Sequence, residues 1–172
     1  GDPHSPKLLG WSTVQFGNLG LYRAVANDPV QVARYARDLP PDRWDRALFD
    51  RSRLGLAVGI GILVVAFGPW VGLLAAGVHV MVYLQLLASV NAMTHTFGRR
   101  PFPNGATNLQ WLALLTMGEG LHNNHHAAPT SAKFSLCRRQ IDPAWVAINL
   151  LRRARLVTIR HLDLKLKRPL GA

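Results

Sequence analysis

The sequence predicts an all-α membrane protein: one transmembrane helical hairpin with further helices on its cytoplasmic side. Three observations carry that expectation. Leu54 to Val90 is a run of 37 residues without Asp, Glu, Lys or Arg. Gly68-Pro69 interrupts this run near its middle. Beyond it, His122-Asn123-Asn124-His125-His126 places three imidazoles where one face of a helix would gather them.

As a single helix the uncharged run would be roughly 55 Å long, against a hydrocarbon layer of about 30 Å. Two crossings fit better. Proline lacks an amide hydrogen and turns its predecessor away from helical geometry, so the break falls at Gly68-Pro69. Trp70 to Val90 is then long enough to span. Leu54 to Phe67 is short, and spans only by borrowing Ala47 to Phe49 or by thinning the layer; a re-entrant arm is the alternative. Two core helices of a soluble bundle are the competing account of the same run.

Arg51 and Arg53 precede the hairpin, and Arg99 and Arg100 follow it. Basic flanks at both ends place both on the cytoplasmic side, which an even number of crossings permits. Upstream, Trp11 to Leu21 is moderately apolar. Asp28-Pro29 reads as a helix start and Pro40-Pro41 as its stop, giving a surface-lying amphipathic helix over Val30 to Leu39. Downstream, residues 101–105 form a turn-rich connector and Leu109 to Met117 a short apolar helix. A last helix starts at Asp142-Pro143, with Asp as cap, and a basic tail through Arg160, Lys165, Lys167 and Arg168 follows. Four segments result: an interfacial stretch over 1–50, the hairpin over 51–90, a cytoplasmic metal-site region over 91–141, and an amphipathic helix with a basic tail over 142–172.

The 172 residues carry 20 Lys and Arg against 9 Asp and Glu, a net charge of +11. In a soluble protein this would suggest nucleic acid. Here the apolar run makes basic membrane flanks the simpler account. With Cys137 as the only cysteine, neither an internal disulfide nor a thiolate metal cluster can form. The opening residues lack the regions of a signal peptide and read as the middle of a longer chain.

His122, His125 and His126 carry the strongest chemical signal. Neutral imidazole suits iron, zinc or copper, so ligand type does not choose the metal. The H-E-x-x-H spacing of a zinc hydrolase is absent. Glu119, three residues before His122, is placed to steady a ring proton from outside the ligand set. Asn91 and His95 form another i,i+4 pair at the exit of the long crossing, where His95 reaches a site just outside the lipid and Asn91 acts through a metal-bound water. His79 sits mid-crossing and reads as a polar link between helices. His4 and His161 are not expected to be ligands.

Residues 89–98, SVNAMTHTFG, and 114–134, LLTMGEGLHNNHHAAPTSAKF, closely resemble the C-terminal half of membrane fatty acid desaturases of the acyl-CoA desaturase type. The opening GDPHSP resembles the stretch that follows that family's second histidine box. The resemblance implies a partial desaturase fold in which His122, His125 and His126 match the third box, and Asn91 and His95 the intervening NxxxH motif. It further implies a di-iron centre that uses O2 and two electrons to introduce a cis double bond into a long acyl chain. Its partners would be acyl-CoA or another acyl lipid, an electron carrier such as cytochrome b5 or ferredoxin, and membrane lipid, with no nucleic acid. Tyr83 would shape the depth of the acyl tunnel, and Lys133, Arg138 and Arg139 would pair with phosphates of coenzyme A or acidic headgroups.

The family's first two histidine boxes and first membrane hairpin have no counterpart in the sequence. Four imidazoles do not complete a two-iron shell, so the chain reads as a fragment or as one piece that needs an N-terminal partner, inactive on its own. Ala92 stands where the family commonly has Ser, and Gln140 where it often has Glu. A related di-iron fatty acyl hydroxylase and a non-catalytic truncated membrane protein are the alternative functions.

Overall fold

In the computed structural model, residues 4–35, 43, 45–49 and 52–162 are described. The expected stop at Pro40-Pro41, the flanking Arg51, and the tail residues Lys165, Lys167 and Arg168 lie outside them. The described chain is helical, and its extended pairing is a single antiparallel bridge between Arg99 and Asn108. It divides into two compact units: Gly1–Asn18 with Leu86–Ala172, and Leu19–Gln85.

The Leu19–Gln85 unit holds the end of α2 (Trp11–Ala26), α3 (Pro29–Tyr35), a π-helical turn at Asp45–Phe49, α4 (Ser52–Phe67) and most of α5 (Pro69–Thr94). The expected start of α3 is present, with Asp28 Oδ1 accepting from the amides of Val30 at 2.9 Å and Gln31 at 3.3 Å. Between α4 and α5 stands Gly68 alone, at φ +79°, a conformation that costs glycine nothing. One turn later Gly72 lets the two backbones meet. A Cβ there would lie 2.5 Å from Val64 Cα and 2.6 Å from Leu63 O.

At 26 residues, α5 is long and apolar enough to cross a membrane, and among the described residues it is alone in this. The 16 residues of α4 make about 24 Å, short of the hydrocarbon layer. Many of the apolar side chains of this pair face outward: Val65 is 88% exposed, Trp70 84% and Leu74 68%. A soluble core helix would bury such groups; together with the length and composition of α5, their exposure supports a membrane-associated protein. The helix itself runs beyond Val90, where the apolar crossing was expected to end. No breaker intervenes before Gly98, and α5 continues through Asn91 to Thr94.

The other unit holds α1 (Pro6–Leu9), the start of α2, the last turns of α5, α6 (Gln110–Leu115), α7 (His122–Ala127) and α8 (Pro143–Arg153). Its interior is small and tightly closed. Val14, Ala88, Ala92, Phe102, Ala106, Leu112, Ala113 and Leu121 are all almost fully buried. The anticipated cap of α8 is present: Asp142 Oδ1 accepts from the Trp145 amide at 2.9 Å. Its other oxygen accepts from the amides of Phe134 at 2.7 Å and Ser135 at 3.1 Å, tying α8 to the loop after α7.

Candidate metal centre

The histidine run forms α7, as its spacing predicts, and the end of α5 supplies His95. Thr107 joins the two elements. Its amide and hydroxyl both donate to Thr94 O at 2.6 Å, while its own carbonyl accepts from the Asn123 amide at 3.1 Å. The residue before His95 and the residue after His122 are thus fixed to one intermediary.

The two asparagines between the histidines point the other way, into the protein, and both are completely buried. Asn123 Nδ2 donates to Phe102 O at 3.0 Å, Asn104 Oδ1 at 2.7 Å and Ala106 O at 2.9 Å, and its Oδ1 accepts from the Phe102 amide at 2.8 Å. Asn124 Nδ2 donates to Phe134 O at 2.6 Å and Gln140 Oε1 at 2.7 Å. Asn108 closes the set. Its Oδ1 takes the amides of Asn123 at 2.9 Å and Asn124 at 3.3 Å, so a distant side chain caps α7, and its Nδ2 donates to Asn124 Oδ1 at 2.7 Å. Gln140, where a glutamate is common in the resembled family, keeps the acceptor role without the charge and also takes the Cys137 amide at 2.9 Å.

Two glycines let α7 begin where it does. Gly118 has φ +104°, and a Cβ there would stand 2.6 Å from Asp142 Oδ1. Gly120 lies against the start of α6, where a Cβ would be 2.7 Å from Leu109 O and closer still to the Ala113 amide.

On the opposite face of α7, three rings converge. The centroids of His95, His122 and His126 are separated by 5.1, 5.1 and 4.5 Å, and one ligand nitrogen from each lies within 4.8 Å of the others. The Nε2 atoms of His122 and His126 are 3.1 Å apart. Two imidazoles bound side by side to one metal at about 2.0–2.1 Å hold their nitrogens about 3 Å apart, so this spacing fits a shared ion.

His125, three residues after His122, turns to the flank of the cluster. Its ring is 5.7 Å from His122, 5.9 Å from His126 and edge-on to Phe134 at 5.0 Å. The buried Nδ1 atoms of His122 and His125 make no hydrogen bond. Burial, then the neighbouring His126, His95 and His125, hold His122 down to about 2. Burial also lowers His125. Rings kept neutral in this way retain the lone pairs that a metal takes.

The remaining sequence-predicted residues are placed as follows. Asn91 lies one turn before His95 on α5, its carbonyl accepting from the His95 amide at 3.3 Å. Glu119 is in the turn before α7; burial and then the Asp142 carboxylate raise its carboxyl, and the causes that shift the histidines do not include it. Tyr83 is exposed on α5. Arg138 and Arg139 line a cavity, and Lys133 is not among the residues that line it. Sequence reasoning missed Asn108, Asn123 and Asn124, although positions one and two beyond a helical ligand necessarily turn away from its face.

The fatty acid desaturase family profile matches residues 2–151. The chain is 34% identical over 156 residues to the sn-1 stearoyl-lipid 9-desaturase of Anabaena variabilis, covering 87% of this chain and 54% of that one. It is 30% identical over 154 residues to the protein of the same name from Synechocystis, covering 87% and 46%. To the hex-5-enoyl-[acyl-carrier protein] acetylenase of Moorena producens it is 32% identical over 167 residues, covering 86% and 51%. The chain therefore spans about half the length of these curated relatives. No solved structure gives a significant match. With a family profile running over most of its length and a histidine cluster on the helix that profile includes, the chain belongs to the fatty acid desaturase family.

Proposed function

We propose that this chain forms the C-terminal half of a membrane acyl desaturase, with His95, His122 and His126 as ligands to one iron of a di-iron centre. The 3.1 Å approach of the His122 and His126 nitrogens beside the ring of His95, with His95 and His122 buried and His126 exposed, is the observation that carries it. His125 and Asn91, the latter through water, extend the set. The rest of a two-iron shell comes from histidine boxes outside this sequence. In this reading α4 and α5 form a transmembrane hairpin with both ends on the cytoplasmic side, supported by Arg53, Arg99 and Arg100 at its flanks.

When bound, the iron supplies the reduction of O2 to two waters, drawing two electrons from a carrier such as cytochrome b5 or ferredoxin and two from adjacent acyl C–H bonds, which leaves a double bond. The protein's own work is positional. Asn108, Asn123 and Thr107 hold the helices that carry the ligand rings, and burial keeps water from His95 and His122 while His126 stays exposed. The substrate is a long acyl chain on a lipid, coenzyme A or carrier protein, matching what the relatives' names state of those proteins.

Iron content after anaerobic Fe(II) loading tests the ligand set. The purified chain is expected to hold about one iron, and His95→Ala, His122→Ala and His126→Ala are each expected to weaken its retention by at least about tenfold. Full retention in all three variants would sink the assignment. Co-expression with a polypeptide carrying the two additional boxes, followed by chromatography of total acyl chains, tests the activity. A new cis double bond supports it, whereas a hydroxylated product moves the assembly to the hydroxylases.

A further inference from the structure

Four imidazoles gather about α7, and they divide three to one. His95, His122 and His126 meet, while the ring of His125 stands 5.7 and 5.9 Å from its two neighbours on α7 and 5.0 Å from the ring of Phe134, at 63° to it. Helix spacing does not explain the division, because residues three and four beyond His122 both return to its side. Nor does the backbone fix the turn of the ring, since the terminal torsion of a histidine is broad. In ligand histidines a hydrogen bond commonly sets it. The buried Nδ1 of His125 makes none, which leaves that task to the aromatic ring packed against it.

Phe134 is held in place by contacts that do not involve the His125 ring. Its amide donates to Asp142 Oδ2 at 2.7 Å, and its carbonyl accepts from Asn124 Nδ2 at 2.6 Å and from the Leu136 amide at 2.9 Å. Just upstream, Ser131 Oγ closes a turn on Lys133, donating to its carbonyl at 2.9 Å and accepting from its amide at 3.1 Å. The ring itself rests on the turn before α7, where a Cβ on Gly118 would lie 3.6 Å from Phe134 Cδ2. Phe134 is therefore a fixed wall, and the inclined contact between two aromatic rings is an attractive one.

The wall matters through coordination number. Three imidazoles on one ion leave a position open, whereas a fourth closes a tetrahedral shell. The clustered rings are 4.5 to 5.1 Å apart, so His125 stands only a small movement outside them. We propose that Phe134 is the positioning residue of His125, holding its imidazole on the flank so that an ion taken by His95, His122 and His126 keeps an open position and leaves the fourth ring uncommitted. That the uncommitted ring serves a second iron rests on the desaturase reading above; the contact between Phe134 and His125 requires no metal.

Cobalt(II) is the probe, added without oxygen to the full chain in neutral detergent, because its visible bands move to shorter wavelength when imidazole replaces water as a ligand. His125→Ala alone is expected to change cobalt retention by no more than about twofold and to leave the bands in place, as for a group outside the shell. Phe134→Ala is expected to shift the bands as His125 joins the ion. In that background His125→Ala is expected to reverse the shift and to weaken retention at least about tenfold. Phe134→Tyr, which keeps the ring, is expected to match wild type.

A metal-free measurement covers the case in which Phe134→Ala disturbs the fold. The chain is labelled with carbon-13 at histidine and held at about pH 9, well above the imidazole range, and the His125 ring signal is identified by its loss in His125→Ala. Phe134→Leu keeps apolar bulk but removes the ring current, and is expected to move that signal more than any other histidine's. Weakening of retention by His125→Ala as large as by His122→Ala, effects of Phe134→Ala and His125→Ala that simply add, or a His125 signal unmoved in Phe134→Leu overturns the proposal. Failure of the ligand assignment shows separately, as full retention in the His95, His122 and His126 variants, and the metal-free signal then decides alone whether Phe134 holds His125.

Discussion

Asn123 and Asn124 carry as much structural weight within the HNNHH run as the histidines carry chemistry. Each is buried without exposure and spends its amide on several partners, so truncation strands donors and acceptors that water cannot reach. Asn123→Ala is expected to cost about 2 kcal/mol or more of stability, read as a lowered unfolding midpoint in detergent, with metal-ligand rings displaced as a consequence. A second residue-scale prediction concerns acid. His122 and His125 are held below the free imidazole value, so as pH falls through about 6.5 the unfolded chain takes up protons that the folded chain refuses. Their neutral packing is tolerated at no cost above that pH and destabilises the fold increasingly below it, by up to about 1.4 kcal/mol per pH unit for each histidine. Metal-free protein is therefore expected to melt at lower temperature at pH 5 than at pH 7; a flat profile would contradict the buried, neutral rings. Cys137 supplies a third. Burial raises its thiol, so its alkylation at pH 8 is expected to lag that of a free thiol, with the rate midpoint shifted to higher pH.

Elements were legible wherever a breaker or cap wrote them. Gly68-Pro69 splits α4 from α5, Asp28-Pro29 opens α3 and Asp142-Pro143 opens α8, because each dipeptide acts through local sterics and local hydrogen bonds. Helix α5 runs past the apolar crossing expected to end at Val90, as the i,i+4 reading of Asn91 and His95 requires, because a change from apolar to polar residues does not end helical geometry. The space around the glycines was not legible at all. Gly72, Gly118 and Gly120 are required by backbones that approach from elsewhere in the chain, and nothing adjacent to them in sequence announces it. Gly72→Val is expected to destabilise the α4–α5 contact by about 1–3 kcal/mol, as overpacking does. Gly120→Ala is expected to reduce iron retention although it removes no ligand, because α7 must shift to clear α6. Metal content beside an unchanged helical circular dichroism signal separates the two effects.

At the scale of the whole molecule, the family was legible through the resemblance of residues 89–98 and 114–134 to the desaturases, and membrane association through the apolar run, since both are written in contiguous sequence. The grouping of Arg99 and Arg100 with Arg138 and Arg139 was not readable, because it depends on the bridge between Arg99 and Asn108 that folds one segment across another. The exposed apolar surface of α4 and α5 predicts that the chain stays with membranes through alkaline carbonate washing and requires detergent for release. Release by carbonate alone would count against a lipid environment for α5.

The clamp of Asn108 on the first amides of α7 has a kinetic meaning. It orients the ligand helix with polar contacts that contain no metal, so α7 is expected to keep its place when the ion is removed. Zinc fingers gain their fold and their ion in one event, and lose both to a chelator. The opposite is expected of this chain. A chelator should empty it without melting it, reloading should proceed at the rate of encounter rather than of refolding, and the same scaffold is free to exchange a damaged or wrong ion during its working life.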